Sequence, residues 1–251
     1  MEIITITMHR EDTSIIDFLK RMKNTSVRLL ESSSQFNFDK DIILDFLDSA
    51  IEQYPISVIL VKCKHAKIKS RPFTINYMSG GEHKHWSYGD SSSRIYVLDG
   101  HQRLQVLYSA YFGSFDGERI FYDLAFMGQG RRFSFSERNE SSVSSIRMNE
   151  VTSVSRLPAL NWAFRNHTDN IHDFLTAFYH SWKLYITTIN ISKIDVGDIG
   201  TAYAEGWSIR DYQNKLEMII NMLSGLANVS YLREICDRLG SFIELVQNSE
   251  Q

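Results

Sequence analysis

Five consecutive residues, Asp99-Gly100-His101-Gln102-Arg103, set a carboxylate, an imidazole, a carboxamide and a guanidinium around one glycine. Before them, Ile95 to Leu98 is a short apolar run rich in β-formers, long enough for one buried strand. After them, Leu104, Leu107, Tyr108 and Tyr111 recur at the spacing of one helix face, and Gly113 follows as a stop. The segment therefore reads as strand, tight turn and helix, with Gly100 allowing a backbone conformation closed to other residues. Backbone N–H groups at a helix start, together with the positive end of its dipole, favour an anion. A guanidinium at the same place can fork onto two phosphate oxygens. The pattern outlines a phosphate site. The same spacing also suits a plain turn, because Asp-Gly turns well and first helical turns often face water with polar residues.

The run Val-Leu-Asp-Gly-His-Gln-Arg-Leu-Gln-Val-Leu-Tyr (97–108) resembles the Asp-Gly-Gln-Gln-Arg-Leu signature of the domain-of-unknown-function 262 family, the GmrS-like nucleotidase domains. It is also similar to the Asp-Gly-His-Arg-Arg and related signatures of the wider ParB/sulfiredoxin superfold. Two further runs keep the family's order. Asp45 to Ile56 is similar to its helix ending in Tyr-Pro-Ile before a buried strand, and Phe115 to Leu124 to the strand after the signature helix. Phe38 stands where the family carries Trp, but Ser33 and Ser34 stand where it carries a Gln-Arg pair.

The resemblance implies a nucleotide-binding domain and a nucleoside triphosphatase of the kind found in modification-dependent restriction and phage-defence systems. Asp99, Gly100, His101, Gln102 and Arg103 are the expected nucleotide-binding residues, and Asp99, His101, Gln102 and Arg103 the expected catalytic ones. Gly100 would let the turn approach the phosphates, and the amides near His101 and Gln102 would bind them. Arg103 would neutralise charge developing on the transferred phosphoryl group. Asp99 would hold Mg²⁺ directly or through water, since Mg²⁺ commonly uses one or two carboxylates plus phosphate oxygens. Gln102 would orient water. His101, replacing the family's more usual Gln, would donate to phosphate or transfer a proton.

The flanking elements follow from pattern. Glu2 to Met8 alternates as a half-buried strand, and Asp12 can cap a helix whose apolar face is Ile15, Phe18, Leu19 and Met22. Asn24 to Asn37 is polar, Ser-rich and reads as a loop. Lys40 to Tyr54 reads as a helix with Ile43, Leu47, Ala50, Ile51 and Tyr54 toward the core. Its other side carries Asp41, Asp45, Asp48 and Glu52, a solvated acidic face and not a metal face, since no ligand histidine joins them. Pro55 ends the helix, and Ile56 to Val61 has the continuous apolar character of an interior strand. Lys62 to Asp90 is mostly polar. Its His83 and His85 share a strand face, but no Cys or second pair accompanies them, so with His65 they read as part of a mobile loop beside the site. Glu118 to Leu124 and Arg131 to Ser136 read as strands.

Beyond Val154 the character changes. Asp169 can cap a helix carrying Ile171, Phe174, Leu175, Phe178 and Trp182, whereas Lys183 to Ile191 is β-branched and ambiguous. Ser208 opens another helix with Tyr212, Leu216, Ile219 and Leu223 on one face. A last helix follows with Leu232, Ile235, Cys236, Leu239, Phe242 and Val246. The fold expected is α/β: a ParB/sulfiredoxin-like mixed small sheet with helices over 1–154, then a mostly helical domain over 155–251.

Composition narrows the partners. The 251 residues carry 27 Lys and Arg against 30 Asp and Glu, a formal net charge of −3. A chain that coats DNA electrostatically normally shows a basic excess, so direct DNA binding is not favoured. Cys63 and Cys236 suit neither a disulfide framework nor zinc spacing, and read as buried thiols in a reducing compartment. No run reaches the roughly 18 apolar residues of a membrane helix, and no signal peptide is visible. A soluble, cytoplasmic protein with no membrane partner is expected. No histidine follows His180, so no His-Asn-His nuclease constellation closes the chain. Cleavage chemistry would belong to a separate nuclease or effector chain, with a homo-oligomer also open. Three other readings stand beside the triphosphatase: a nucleotide-gated switch or adaptor with little turnover, a ParB-like nucleic-acid-binding protein, and a decoy with no ligand.

Overall fold

The computed structural model describes residues 2–24, 27–31, 33, 36–52, 54–63, 68–79, 87–88, 94–123, 126, 130–138, 145–148, 183–195, 234–235 and 237–242. The helices expected over 169–182 and from Ser208, the three histidines 65, 83 and 85, and Cys236 lie outside these residues. No helix among the described residues is long and apolar enough to cross a membrane.

The fold is mixed α/β and strand-rich. Its main sheet has seven strands in the order β1 (Glu2–Ser14), β12 (Lys183–Asp195), β3 (Ile56–Cys63), β7 (Arg94–Asp99), β2 (Val27–Leu30), β4 (Lys69–Pro72), β6 (Ser87–Tyr88). The β12–β3 and β7–β2 pairs are parallel, and the other pairs antiparallel. The β-branched stretch that composition leaves ambiguous is thus a strand, seated between β1 and β3. A parallel partner for β3 needs a long crossover and so comes from a distant segment. The boundary expected at 154 consequently does not bound the sheet. β1 also runs past Met8, because Arg10, Glu11 and Asp12 continue its ladder against Thr187, Ile186 and Tyr185.

The continuous apolar run of β3 has a direct cause. Val58 and Leu60 pack into one core, while Ile59, Val61 and Cys63 pack into a second. The first core joins the sheet to helices α1 (Ile15–Asn24), α2 (Lys40–Ile51) and α3 (His101–Phe112). It also takes Ile120, Tyr122, Phe133 and Ile146 from a three-stranded sheet ordered β10 (Phe133–Ser136), β9 (Arg119–Asp123), β11 (Ser145–Arg147). In the second core, Ile235, Leu239 and Phe242 meet Tyr96, Leu98 and Ile189, and residues 234–235 and 237–242 are helical. The Phe242 ring lies 5.6 Å from that of Tyr96.

Several local readings shift. Ser14, not Asp12, opens α1: its Oγ accepts from the Asp17 amide at 3.1 Å and donates to the Asp17 carboxylate at 2.7 Å. Helix α2 is capped by Asp39, whose side chain accepts from the Ile42 amide at 2.8 Å. It ends at Ile51, and Tyr54 is 63% exposed instead of facing the core, because the residue before Pro55 is pushed out of helical geometry. The acidic face of α2 is not simply solvated. Arg131 pairs with Asp41 and Asp45, and Arg132 with Asp48 and Glu52, tying α2 to the start of β10. Such pairs contribute about 0–1 kcal/mol each where exposed.

Helix α3 carries more than one apolar face. Leu104 through Tyr111 are all buried, including Gln105 and Ser109. Gln105 Nε2 donates to the Thr74 carbonyl at 2.7 Å and to Ser109 Oγ at 2.7 Å. Ser109 Oγ donates to the same carbonyl at 2.8 Å. This network holds residues 74–77 against α3, where β5 (Asn76–Tyr77) pairs in parallel with β8 (Ser114–Phe115). Gly113 ends α3 with φ −152°, so the left-handed cap that a helix-ending glycine suggests is not what requires it. A Cβ there would lie 2.1 Å from the Ile75 carbonyl oxygen. Closeness of two backbones selects glycine here.

Two stability measurements follow. Gly113→Ala must push residues 75–76 off α3, and overpacking of this kind costs about 1–3 kcal/mol. A lower urea midpoint with unchanged slope is expected, and an unchanged midpoint would contradict the close approach. The second concerns pH. Burial raises the Asp48 carboxyl pKa, against the opposing Arg132 amide and guanidinium. The folded chain therefore holds that proton more tightly than the unfolded chain, so Asp48 favours folding most at low pH and this contribution is lost as pH rises through the folded pKa. Asp48→Asn, whose side-chain oxygen can still accept from the Arg132 amide, should be relatively more stable at neutral pH than at acid pH when compared with the wild type. A pH-independent difference in urea midpoint would contradict this.

Candidate functional site

The sheet delivers the candidate residues to one corner. Strand β7 is central, flanked by β3 and β2, and it ends at Asp99. Gly100 then has φ 83° and ψ 12°, a left-handed conformation that other residues adopt at a cost. Space also demands glycine, because a Cβ at 100 would sit 2.7 Å from Val58 Cγ1 and 3.1 Å from the Ser57 carbonyl oxygen on β3. The Gly100 carbonyl accepts from the Leu104 amide at 2.9 Å, the first bond of α3. As N-cap, Gly100 provides no side chain to bond the helix start.

Around this turn the five residues have distinct settings. Asp99 is almost buried, with its side chain 12% exposed. Arg103, one helical turn on, donates from Nη2 to Asp99 Oδ2 at 3.0 Å. The other carboxylate oxygen, Oδ1, accepts from Arg238 Nη1 at 3.4 Å, and the same nitrogen donates to the Leu98 carbonyl at 3.3 Å. Arg238 also pairs with Glu234. His101 is buried. Gln102 is half-buried, and its Oε1 accepts from the Asn37 amide at 3.3 Å. This contact brings the aromatic segment of Phe36 and Phe38, rings 5.6 Å apart, beside the start of α3. Ser33, which the resemblance sets in place of one member of a Gln-Arg pair, lies after β2 with its amide on the Leu30 carbonyl.

The arrangement can attract an anion at the start of α3, where the positive end of the helix dipole and the Arg103 guanidinium coincide. It does not suit Asp99 as a Mg²⁺ ligand. Both carboxylate oxygens face guanidinium groups, and a divalent cation placed there would meet two like charges. No group of three or more His, Cys, Asp or Glu side chains converges among the described residues. Sequence reasoning missed Arg238 and Asn37. Arg238 lies 139 positions from Asp99, on a helix recognisable from its apolar residues alone. Asn37 acts through its backbone amide, which side-chain identity does not reveal.

Two glycines separate conformational strain from crowding. Gly117, with φ 84°, has nothing within 4 Å of an added Cβ, whereas Gly100 has β3 against it. Gly117→Ala should cost roughly 1–2 kcal/mol from the left-handed backbone. Gly100→Ala should cost about 1–3 kcal/mol more from the contact with Val58 and Ser57. Urea denaturation of both variants checks this, and equal losses would contradict the close approach to β3.

No protein-family model matches the chain, and no curated protein matches it.

Proposed function

We propose that this chain is a nucleoside triphosphate-binding subunit of a restriction or phage-defence system, with the start of α3 as its phosphate site. A ParB/sulfiredoxin-like fold for the sheet around β7 belongs to the same proposal, as does the assignment of the phosphate contacts to Gly100, His101, Gln102 and Arg103. One observation carries it. The chain leaves a central strand through a left-handed glycine into a helix with no side-chain cap, and a guanidinium is held at that helix start by Asp99. Helix-start amides and a guanidinium are complementary to phosphate oxygens.

In this reading Asp99 positions Arg103 and does not bind metal. Mg²⁺ would arrive on the triphosphate, where it neutralises the clustered phosphate charge. Arg103 then exchanges part of its contact with Asp99 for phosphate oxygens. The same proposal assigns the effector chemistry to another chain or to a second copy of this one.

A second reading, binding with little turnover, is favoured by a specific feature. The Gln102 carbonyl oxygen, expected to orient the attacking water, accepts instead from the Asn37 amide. That contact takes up one of the two lone pairs with which Gln102 could accept from water.

The test is calorimetric titration with the four common triphosphates in the presence of Mg²⁺, alongside phosphate release. Arg103→Ala should weaken binding about tenfold to hundredfold, as charge-assisted bonds of roughly 1.5–3 kcal/mol are lost. Asp99→Asn should still bind, because its side-chain oxygen can keep accepting from Arg103 while the competing negative charge is gone. Equal affinities for wild type and Arg103→Ala would remove the site. Binding without phosphate release at any condition selects the switch over the triphosphatase, and release abolished by Asp99→Asn would restore the carboxylate as a metal ligand.

A further inference from the structure

We infer that Arg238 is the second guanidinium of the phosphate site, so that the site receives a polyphosphate across two arginines from separate helical segments. The inference rests on the proposed triphosphate site and adds to it a residue from near the C-terminus. Asp99 lies beneath both guanidiniums, with Oδ2 on Arg103 at 3.0 Å and Oδ1 on Arg238 at 3.4 Å. Its side chain is 12% exposed, whereas those of Arg103 and Arg238 are 30% and 33% exposed. The carboxylate is thus shielded and the two cations reach solvent.

One carboxylate balances one guanidinium. The other countercharge, Glu234, has a side chain 56% exposed, so water and salt screen it far more than they screen Asp99. The four side chains balance in charge, so an incoming anion gains Arg238 by displacing the exposed Glu234. Each guanidinium carries five N–H donors, and bonding one oxygen of Asp99 does not exhaust them. A ligand with several charged phosphates in a row can bridge both arginines, while a single phosphate gains less from the second. The chemistry selects a polyphosphate chain over an isolated phosphate group.

The competing role for Arg238 is a staple that fixes its helix to the end of β7 through the Leu98 carbonyl. Ile235, Leu239 and Phe242 already bury that helix against the sheet, so loss of the arginine need not release it. Arg238→Gln keeps an amide donor for Leu98 and removes the charge, which separates the two roles. Arg238→Lys keeps the charge and loses the fork.

The experiment is calorimetric titration of the full chain with inorganic tripolyphosphate and with orthophosphate at several salt concentrations. Wild type should bind tripolyphosphate more tightly than orthophosphate. Arg238→Gln should weaken tripolyphosphate binding about tenfold to hundredfold and flatten its salt dependence. Arg238→Lys should keep most of the salt dependence at reduced affinity, and Glu234→Gln should bind at least as tightly as wild type. If Arg238→Gln matches wild type in affinity and salt dependence while Arg103→Ala weakens binding, Arg238 is only a staple and the triphosphate site stands. If wild type binds neither probe, both the inference and the proposed function fall.

Discussion

At Gly100 the backbone leaves β7 so close to β3 that an added Cβ would crowd Val58 and Ser57, and the rest of the corner is built on that constraint. The left-handed turn starts α3 directly off the end of a central strand. It also fixes Asp99 as the last strand residue and Arg103 as the residue one helical turn later, at the spacing where their side chains meet. Asp99 in turn accepts from Arg238. A single steric requirement between two strands thereby fixes the position of one carboxylate, and through it two guanidiniums.

This geometry changes what a loss of binding on substitution at Gly100 would mean. The added methyl would act first on β3, at Val58 and Ser57, and only through that on a ligand. Arg103 is the cleaner probe of the site. With Arg103 gone, Asp99 still has Arg238, and the side chain being removed is partly exposed. The electrostatics also favour a division of labour. In the proposed site, the buried carboxylate would serve as a positioning group, and anion recognition would fall to the cations it holds.

Much of this corner is legible in sequence, because its signals are local. The apolar run before Asp99, the helical spacing after Arg103 and the glycine between them each report a nearest-neighbour constraint, and β7, α3 and the turn lie where those signals put them. The faces of α1 and the interior character of β3 are legible for the same reason. What sequence hides is long-range. The place of β12 beside β3 depends on a crossover that no local pattern encodes. The pairing of the acidic face of α2 with Arg131 and Arg132 joins segments about 80 to 90 residues apart. Gln105 and Ser109 look like surface positions on a helical wheel, yet they are buried because residues 74–77 close over them. Arg238 belongs to the same class, since a lone arginine on an amphipathic helix carries no sign of its partner.

The central claim is that the start of α3 holds the phosphates of a nucleoside triphosphate. Its most direct test is a crystal structure of the full chain with a non-hydrolysable triphosphate and Mg²⁺ at saturating concentration. The expected result is phosphate density over Gly100 to Arg103, within hydrogen-bond reach of the His101 and Gln102 amides and the Arg103 guanidinium. Density elsewhere on the molecule, or none at a concentration that saturates binding in solution, would contradict the account.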